Sequence, residues 1–229
     1  AGVGPAYEAC LVEVGIDQIS LVALPAIDSF HHLNGDAPVV LKYLLWGDSW
    51  PAIAHHEVHQ PELAFAAPDL LLMVIDATAL ERDLELALEL MHLGKPMVFA
   101  LNRMDEARAK RRFINVRALA AKLGAPVVPV VAHMGIGLAD LFSTVVRAAR
   151  EARSGAAVCP LVAPSPHIAA QICGIGDIAC QPEVAAAFAV PESLLTMQLA
   201  ENGDYFSQEL REHFPDRYAE LQAVRAAAD

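Results

Sequence analysis

The chain has 229 residues, of which 55% are hydrophobic and 19% charged, and its formal net charge is −12. This length and apolar content predict one or two globular domains and exclude a disordered chain. The acidic balance argues against nucleic acid as a partner. Apolar runs stay shorter than the ~18 residues of a membrane helix, and the N-terminus carries no secretory signal. We expect a soluble, cytoplasmic chain whose four cysteines are reduced thiols.

The first predicted elements are a hairpin, a helix and an inserted segment. Leu11–Val14 alternates, Gly15–Asp17 turns and Ile19–Leu24 returns, which is the pattern of two antiparallel strands. Pro38–Leu45 has apolar residues at helical spacing. Residues 47–68 contain three prolines and the run HHEVH, which is typical of an inserted surface segment.

From Asp69 onward, strands and helices alternate. Leu70–Ile75 is a continuous apolar run of strand length, as expected for a strand buried on both faces. Thr78 and Glu81 form a capping box that predicts the start of a helix. Gly94 is expected to end that helix. Its predicted apolar stripe consists of Leu84, Leu88 and Met91.

The same alternation continues to residue 153. Strands are predicted at Pro96–Leu101 and Ala125–Val131, and helices at Val116–Leu123 and from about Ala139 to Arg153. Such a sequence of elements predicts an α/β fold in which a mostly parallel sheet is flanked by helices.

The character of the chain changes near Ser154. Residues 156–190 are rich in alanine and proline with weak periodicity, whereas residues 191–229 read as helices with breaks at Asn202-Gly203 and Phe214-Pro215. We therefore predict an α/β domain over residues 1–153, with the insert at about 47–68, and a small all-α domain over residues 154–229.

Two loops that follow predicted strands carry residues able to recognise a guanine base. Asn102, Arg103, Met104 and Asp105 follow the strand at 96–101 and have the form of the guanine-reading motif of GTPases. In that motif the aspartate accepts from the base N1–H and exocyclic amine, and the asparagine ties the loop to neighbouring backbone. The alternative is that Asn102 and Asp105 only form a turn or cap a helix.

The second loop would supply a backbone N–H to the guanine O6 atom. Its residues are Val131, Ala132 and His133, which follow the predicted strand 125–131. Because open α/β sheets bind ligands at the carboxyl ends of their strands, both loops are expected on one edge of the sheet.

Five segments between residues 74 and 138 share one family pattern: Val74–Leu84, Leu93–Pro96, Ala100–Asp105, Leu123–Val131 and Gly135–Leu138. With these segments the chain resembles the cytosolic region of FeoB, ferrous iron transport protein B. A weaker similarity, to the helical segment after the G domain in that family, covers Pro191–Asp204.

The resemblance implies an incomplete P-loop GTPase-like G domain followed by a helical domain. In the family these domains precede a membrane permease, at the cytoplasmic face of the inner membrane, and couple guanine nucleotide state to Fe²⁺ uptake. The implied partners are guanine nucleotide, the permease domain and small cytosolic Feo regulators.

Several positions depart from the family pattern. The 229 residues contain no G-x-x-x-x-G-K-[ST] sequence. Gly4 stands where the family has a Mg²⁺-binding threonine, Ala23 where it has the aspartate of D-L-P-G, and Ala26 where it has the glycine. Because phosphoryl transfer depends on positioning the phosphates and the metal, we expect no catalytic residue, no Mg²⁺ site, weak or absent GTP/GDP binding and no hydrolysis by this chain.

Two further hypotheses concern other classes of protein. The first is a non-enzymatic pseudo-GTPase scaffold that binds a protein partner and no nucleotide. The second is a metal site in the insert, where His55 and His59 are four residues apart and would share a helix face. Cys173 and Cys180 are a weaker zinc pair, since their spacing differs from that of zinc fingers. We favour a solvated insert without metal.

Overall fold

The computed structural model describes residues 8–30, 35–47, 66–154, 166–201 and 204–226. The chain forms two compact units: Ala1–Leu24 with Pro68–Val162, and Pro25–Ala67 with Ala163–Asp229. The predicted helix at 38–45 is confirmed as α1 (Ala37–Leu45), and it lies in the second unit. The predicted domain boundary near Ser154 stays a prediction.

The first unit begins with the predicted hairpin, which is confirmed. Strand β1 (Glu8–Val14) pairs antiparallel with β2 (Asp17–Ala23), in a register that sets Val14 opposite Asp17. The tight connection turns at Gly15, whose φ of 64° lies in the left-handed region that glycine adopts without strain.

A three-stranded parallel sheet forms the centre of the first unit. Strands β3 (Leu71–Asp76), β4 (Met97–Asn102) and β5 (Val127–Pro129) lie in that order. The register pairs Asp76 with Asn102, so both residues end at the same edge. This confirms the predicted α/β fold. Strand β5 is shorter than predicted, because the backbone of Val131 turns away to pair with Ile136.

Four helices flank this sheet: α2 (Leu80–Met91), α3 (Met104–Ala109), α4 (Val116–Leu123) and α5 (Leu138–Arg153). Helix α5 packs on β4 and β5, and the Arg150 guanidinium binds the Asp17 carboxylate of β2 at 2.7 Å. The buried cluster between sheet and helix consists of Val98, Ala100, Val128, Val130, Leu141, Val145 and Ala148.

Two details predicted for α2 are wrong. Its N-cap is Ala79 and no side chain caps it, so Thr78 and Glu81 form no capping box. Instead, the Thr78 N–H donates to the side-chain carboxylate of Asp76, which is the last residue of β3. The apolar stripe also differs: Leu88 is 42% exposed, and the buried residues are Ala87, Leu90 and Met91.

In the described residues of the second unit, the regular secondary structure is α-helical, and the sequence prediction that helices follow the α/β part is confirmed. Besides α1, its helices are α6 (Pro166–Ala179), α7 (Pro182–Phe188), α8 (Glu192–Ala200), α9 (Asp204–His213) and α10 (Pro215–Ala226). Helix α6 packs on α8 and α10, and Gly174 admits Val224 so closely that a Cβ would lie 3.1 Å from its methyl carbon.

Helices α6 and α7 lie where the sequence shows weak periodicity. Their buried residues include Ile175, Ile178 and Val184, which are spaced among alanines and glycines that dilute the apolar signal. None of the helices in the described ranges is both long enough and apolar enough to cross a membrane.

We predict that Gly137→Ala destabilises the first unit more than Gly135→Ala. Both glycines have positive φ, 80° and 72°, so each alanine carries a strain of about 1–2 kcal/mol. At Gly137 the added Cβ would also lie 2.4 Å from the Pro129 carbonyl oxygen, whereas nothing lies within 4 Å at Gly135. Free energies of unfolding from urea titrations measure the difference, and equal losses would contradict the steric argument.

Candidate functional site

The two loops predicted from the sequence lie side by side at the carboxyl edge of the parallel sheet. Asn102 ends β4, and its side-chain Oδ1 accepts a hydrogen bond of 3.0 Å from the Ala132 N–H in the loop after β5. The Met104 N–H donates to the Val130 carbonyl at 3.5 Å, and the Met104 side chain is buried. These contacts hold the N-x-x-D loop against the second loop.

The second loop is a short, closed structure. Val131 is buried and exchanges backbone hydrogen bonds with Ile136, at 3.0 and 3.2 Å, around the 3-10 turn Ala132–Met134. Because the Ala132 N–H is donated to Asn102, it is engaged and cannot also bind a base oxygen without breaking that hydrogen bond.

Asp105 presents a carboxylate between the two loops. It is the second residue of α3, and its Oδ1 atom is buried without a hydrogen-bond partner among the described residues. Its Oδ2 atom lies 3.9 Å from His133 Nε2, which is beyond hydrogen-bonding distance. An ionised carboxylate only accepts hydrogen bonds, so this group is suited to a ligand that presents adjacent N–H donors.

Arg103 is held by a network of acidic groups that the sequence analysis did not identify. Its guanidinium donates to Asp76 Oδ2 at 2.8 Å and to both carboxylate oxygens of Glu106, at 2.8 and 2.6 Å. These hydrogen bonds raise the pKa of Arg103, and the one from Arg103 lowers the pKa of Glu106. The network fixes Arg103 in a left-handed conformation with φ of 62°.

Asp76 organises the loop after β3. Its Oδ1 accepts from the Thr78 N–H at 2.7 Å, and its own N–H donates to Asp83 Oδ2 at 2.6 Å. Burial acts to raise the pKa of Asp76, but the hydrogen bonds from Thr78 and Arg103 outweigh it and lower the pKa. The signal that could have identified Asp76 is its position, at the end of the strand next to the one that ends in Asn102.

The remaining candidate residues divide into described and undescribed ones. Ala23 and Ala26 are exposed. Ala23 lacks the carboxylate, and Ala26 replaces the glycine, that the family pattern has at these positions. Gly4, His55 and His59 lie outside the described residues. Cys173 and Cys180 are exposed free thiols. In the described part of the chain, no three His, Cys, Asp or Glu side chains are grouped to hold a metal ion.

Comparison with known proteins connects this geometry with a family. Residues 49–145 match the family model FeoB_N, described as ferrous iron transport protein B. The Fe(2+) transporter FeoB of Salmonella typhimurium is 36% identical over 128 residues, and that of Escherichia coli is 35% identical. Each match covers 54% of this chain and 14% of the relative, so the chain corresponds to a small part of those transporters.

Solved structures show the same fold. The cytosolic domain of L. pneumophila FeoB has a TM-score of 0.69 at 22% identity, covering 99% of this chain and 88% of that one. A variant of S. thermophilus NFeoB bound to GDP and AlF4⁻ has a TM-score of 0.72 at 23% identity, covering 99% and 78%. The FeoB G-domain of Methanococcus jannaschii is 30% identical with a TM-score of 0.51, covering 62% and 79%.

The fold class is an α/β domain of the G-domain type followed by helices. Its features are the parallel sheet, the two loops joined by hydrogen bonds at the edge of that sheet, and the helices. Over residues 49–145, the chain matches the FeoB_N family model, and its sequence is similar to that of FeoB ferrous iron transport proteins. The resemblance found in the sequence is confirmed.

We predict that Asn102→Ala loosens the second loop. The substitution removes the acceptor of the Ala132 N–H and is expected to cost about 0.5–1.5 kcal/mol of unfolding free energy. Amide hydrogen exchange at Ala132, followed by NMR, should accelerate.

The matched control is Asn115→Ala, which removes a hydrogen bond of the same length, from Ala118 N–H to the Asn115 side chain at the start of α4. Its effect should stay in α4. If Ala132 exchanges equally fast in both variants, the Asn102 hydrogen bond does not hold the loop.

We predict that Asp76→Asn lowers the free energy of unfolding at neutral pH by roughly 1–3 kcal/mol, because the charged hydrogen bonds are lost. Since the folded-state pKa of Asp76 is lowered, its stabilisation is complete above its unfolded pKa of about 3.9 and is lost as pH falls through the folded pKa.

Urea titrations at neutral pH and at a series of values below about pH 4 measure this. The wild type should lose stability more steeply with acid than Asp76→Asn does. The control is Asp140→Asn, an exposed acid on α5. Identical acid profiles for wild type and Asp76→Asn would contradict the assigned role.

Proposed function

We propose that the chain is the cytosolic, guanine-nucleotide-binding-type region of a FeoB-like ferrous iron transport protein, and that it couples nucleotide state to Fe²⁺ uptake. The transporters it resembles are much longer than this chain. The coupling would therefore act on a permease domain of the same or a companion protein. Residues 154–229 would connect the G domain, residues 1–153, to that permease, and small cytosolic Feo regulators are further partners.

The observation that carries the proposal is the position of Asp105 beside the hydrogen bond between the Asn102 side chain and the Ala132 N–H. Asp105 is the acceptor for the guanine N1–H and exocyclic amine, and its Oδ1 has no partner within the described residues. Arg103 and Met104 fix the loop, the former through ion pairs and the latter through burial. Val131, Ala132 and His133 belong to the neighbouring loop, which Asn102 holds through its hydrogen bond with the Ala132 N–H.

Nucleotide binding by this chain is proposed to be weak. One bidentate contact to a base supplies a few kcal/mol at most, whereas a dissociation constant of 1 mM already requires about −4 kcal/mol. The Ala132 N–H is also engaged by Asn102, which removes one donor for the guanine O6.

Hydrolysis by this chain is not proposed. Ala23 cannot act on the Mg²⁺ shell as a carboxylate does, and Gly4 offers no hydroxyl to the metal. A side chain at Ala26 replaces the glycine that the family places near the γ-phosphate. Because catalysis of phosphoryl transfer depends on these contacts, bound nucleotide would be sensed and not turned over.

The test exploits the difference between guanine and xanthine. Xanthine carries a carbonyl in place of the guanine amine, so an amide at position 105 can donate to it where a carboxylate cannot. We predict that NMR titrations of the wild type shift the amides of residues 102–105 and 131–133 more with GDP than with XDP. Asp105→Asn should reverse this preference.

Asp140→Asn, which removes an equal charge from an exposed site on α5, is the matched control and should keep the preference for GDP. Saturable binding tighter than about 100 µM would contradict weak binding. An absence of shifts up to about 10 mM of either nucleotide would contradict the base site altogether.

The alternative function is a pseudo-GTPase scaffold that binds a protein partner and no nucleotide. One observation favours it: Met134 and Ile136, in the loop beside the candidate base site, are 61% and 54% exposed. Adjacent exposed apolar side chains are typical of interaction surfaces. If neither nucleotide shifts the base loops, this alternative replaces nucleotide sensing.

A further inference from the structure

A short surface segment concentrates positive charge on an otherwise acidic protein. Residues 107–117 contain no acidic residue and carry five of the 16 lysine and arginine side chains in a chain of net charge −12. Arg108, Lys110, Arg111 and Arg112 lie within five consecutive positions, directly before Phe113. We call Arg108–Phe113 the basic loop.

The basic loop projects an aromatic side chain into solvent. Phe113 is 88% exposed, and Arg108, Lys110 and Arg111 are exposed as well. In the described part of the chain the side chains of these three cations make no hydrogen bond and no ion pair within 4 Å, although the charge of Lys110 helps to lower the pKa of Glu106. Arg112 is different, because it donates to the Thr78 carbonyl at 2.5 Å and so anchors the loop to the body of the first unit.

One residue of the basic loop has a backbone conformation that its residue type disfavours. Arg112 N–H donates to the Ala107 carbonyl at 2.8 Å and Arg111 N–H to the Arg108 carbonyl at 2.9 Å, which is the Schellman pattern at the end of α3. The pattern needs a left-handed residue, for which glycine is preferred, yet Arg111 occupies it with φ of 57°. No side-chain hydrogen bond or ion pair of Arg111 within the described residues offsets this strain.

We propose that the basic loop docks on an anionic phospholipid surface, with Phe113 entering the interface and Arg108, Lys110 and Arg111 facing the headgroups. Positive side chains are attracted to anionic leaflets, and an aromatic side chain adds apolar burial. Because Phe113 protrudes with little contact to its neighbours, it suits a fluid surface that closes around it. A peptide ligand would need a groove or a strand edge beside it.

The proposed nucleotide function does not use this surface. The basic loop begins in the last turn of α3, and none of its residues belongs to the candidate base site. If nucleotide binding is not observed, the lipid proposal is unaffected. If lipid binding is not observed, the proposed base site is unaffected.

The experiment is flotation of the whole chain with two kinds of vesicle: phosphatidylcholine alone, and phosphatidylcholine with about 30% phosphatidylglycerol. We expect binding to the anionic vesicles only, and its loss at about 0.5 M salt, where charges are screened within a few ångström. An absence of binding to anionic vesicles at low salt would overturn the proposal.

Arg111→Gly separates the surface role from folding. Glycine relieves the left-handed strain, so the thermal midpoint should rise by about 2–4 °C, while vesicle partitioning should fall by about fivefold for the lost charge. Phe113→Ala should also weaken partitioning without lowering stability, since the ring is exposed. Unchanged partitioning in both variants would overturn the proposal.

Arg147→Gln is the matched control, because it removes one positive charge from an exposed position on α5 outside the basic loop. It should leave partitioning nearly unchanged, and an equal loss would show that only net charge matters. Competition with polyglutamate supplies the last arm. Tighter binding to polyglutamate than to vesicles, with the same dependence on Arg111, would assign the basic loop to an acidic protein segment instead.

Discussion

The parallel pairing of β3 with β4 sets the positions of the groups that form the candidate site. Its register places Asp76 opposite Asn102 at the carboxyl edge, where the backbones of both strands turn into loops. Asn102 then reaches the loop after β5, while Asp76 reaches Arg103 in the loop after β4. A slip of one strand by one residue would turn the side chain at its end to the opposite face and remove Asp76 from its position opposite Asn102.

Because of this constraint, contacts within the chain organise the two loops of the candidate base site. The acidic partners of Arg103 hold it in a left-handed conformation, and α3 begins directly after it with Asp105 in its first turn. Preorganised groups lose less freedom on binding than mobile ones. The proposed weak binding without hydrolysis depends on three other positions, Gly4, Ala23 and Ala26, where the family pattern has a threonine, an aspartate and a glycine. Under that proposal, these loops would recognise a base and these three residues would remove contacts to phosphate and metal.

The sequence predicted the parts of this structure that depend on periodicity and local spacing. The hairpin turn at Gly15, the parallel strands and the loops with Asn102 and Ala132 follow from patterns within a few residues. The expectation that Leu70–Ile75 is buried on both faces is wrong, because Val74 is 60% exposed. The Asp76 contacts could not be predicted, because Arg103 lies 27 residues away and Asp83 seven. The same contacts explain why the predicted capping box does not form. The Asp76 carboxylate accepts the hydrogen bond from the Thr78 N–H just before the start of α2. Helices α6 and α7 were missed because alanine and glycine give little amphipathic signal.

Helix α3 lies between two arginines in left-handed conformations. Ion pairs of the side chain offset the backbone strain at only one of them. Arg103, before the helix, offsets its strain through ion pairs with Asp76 and Glu106. Arg111, after the helix, completes a backbone motif that glycine would form with less strain, and no hydrogen bond or ion pair of its side chain within the described residues offsets the cost. Residues in disfavoured conformations persist where the surroundings or a function hold them. The surroundings account for Arg103, whereas the exposed charge of Arg111 beside Phe113 points outward, to a partner beyond the chain itself.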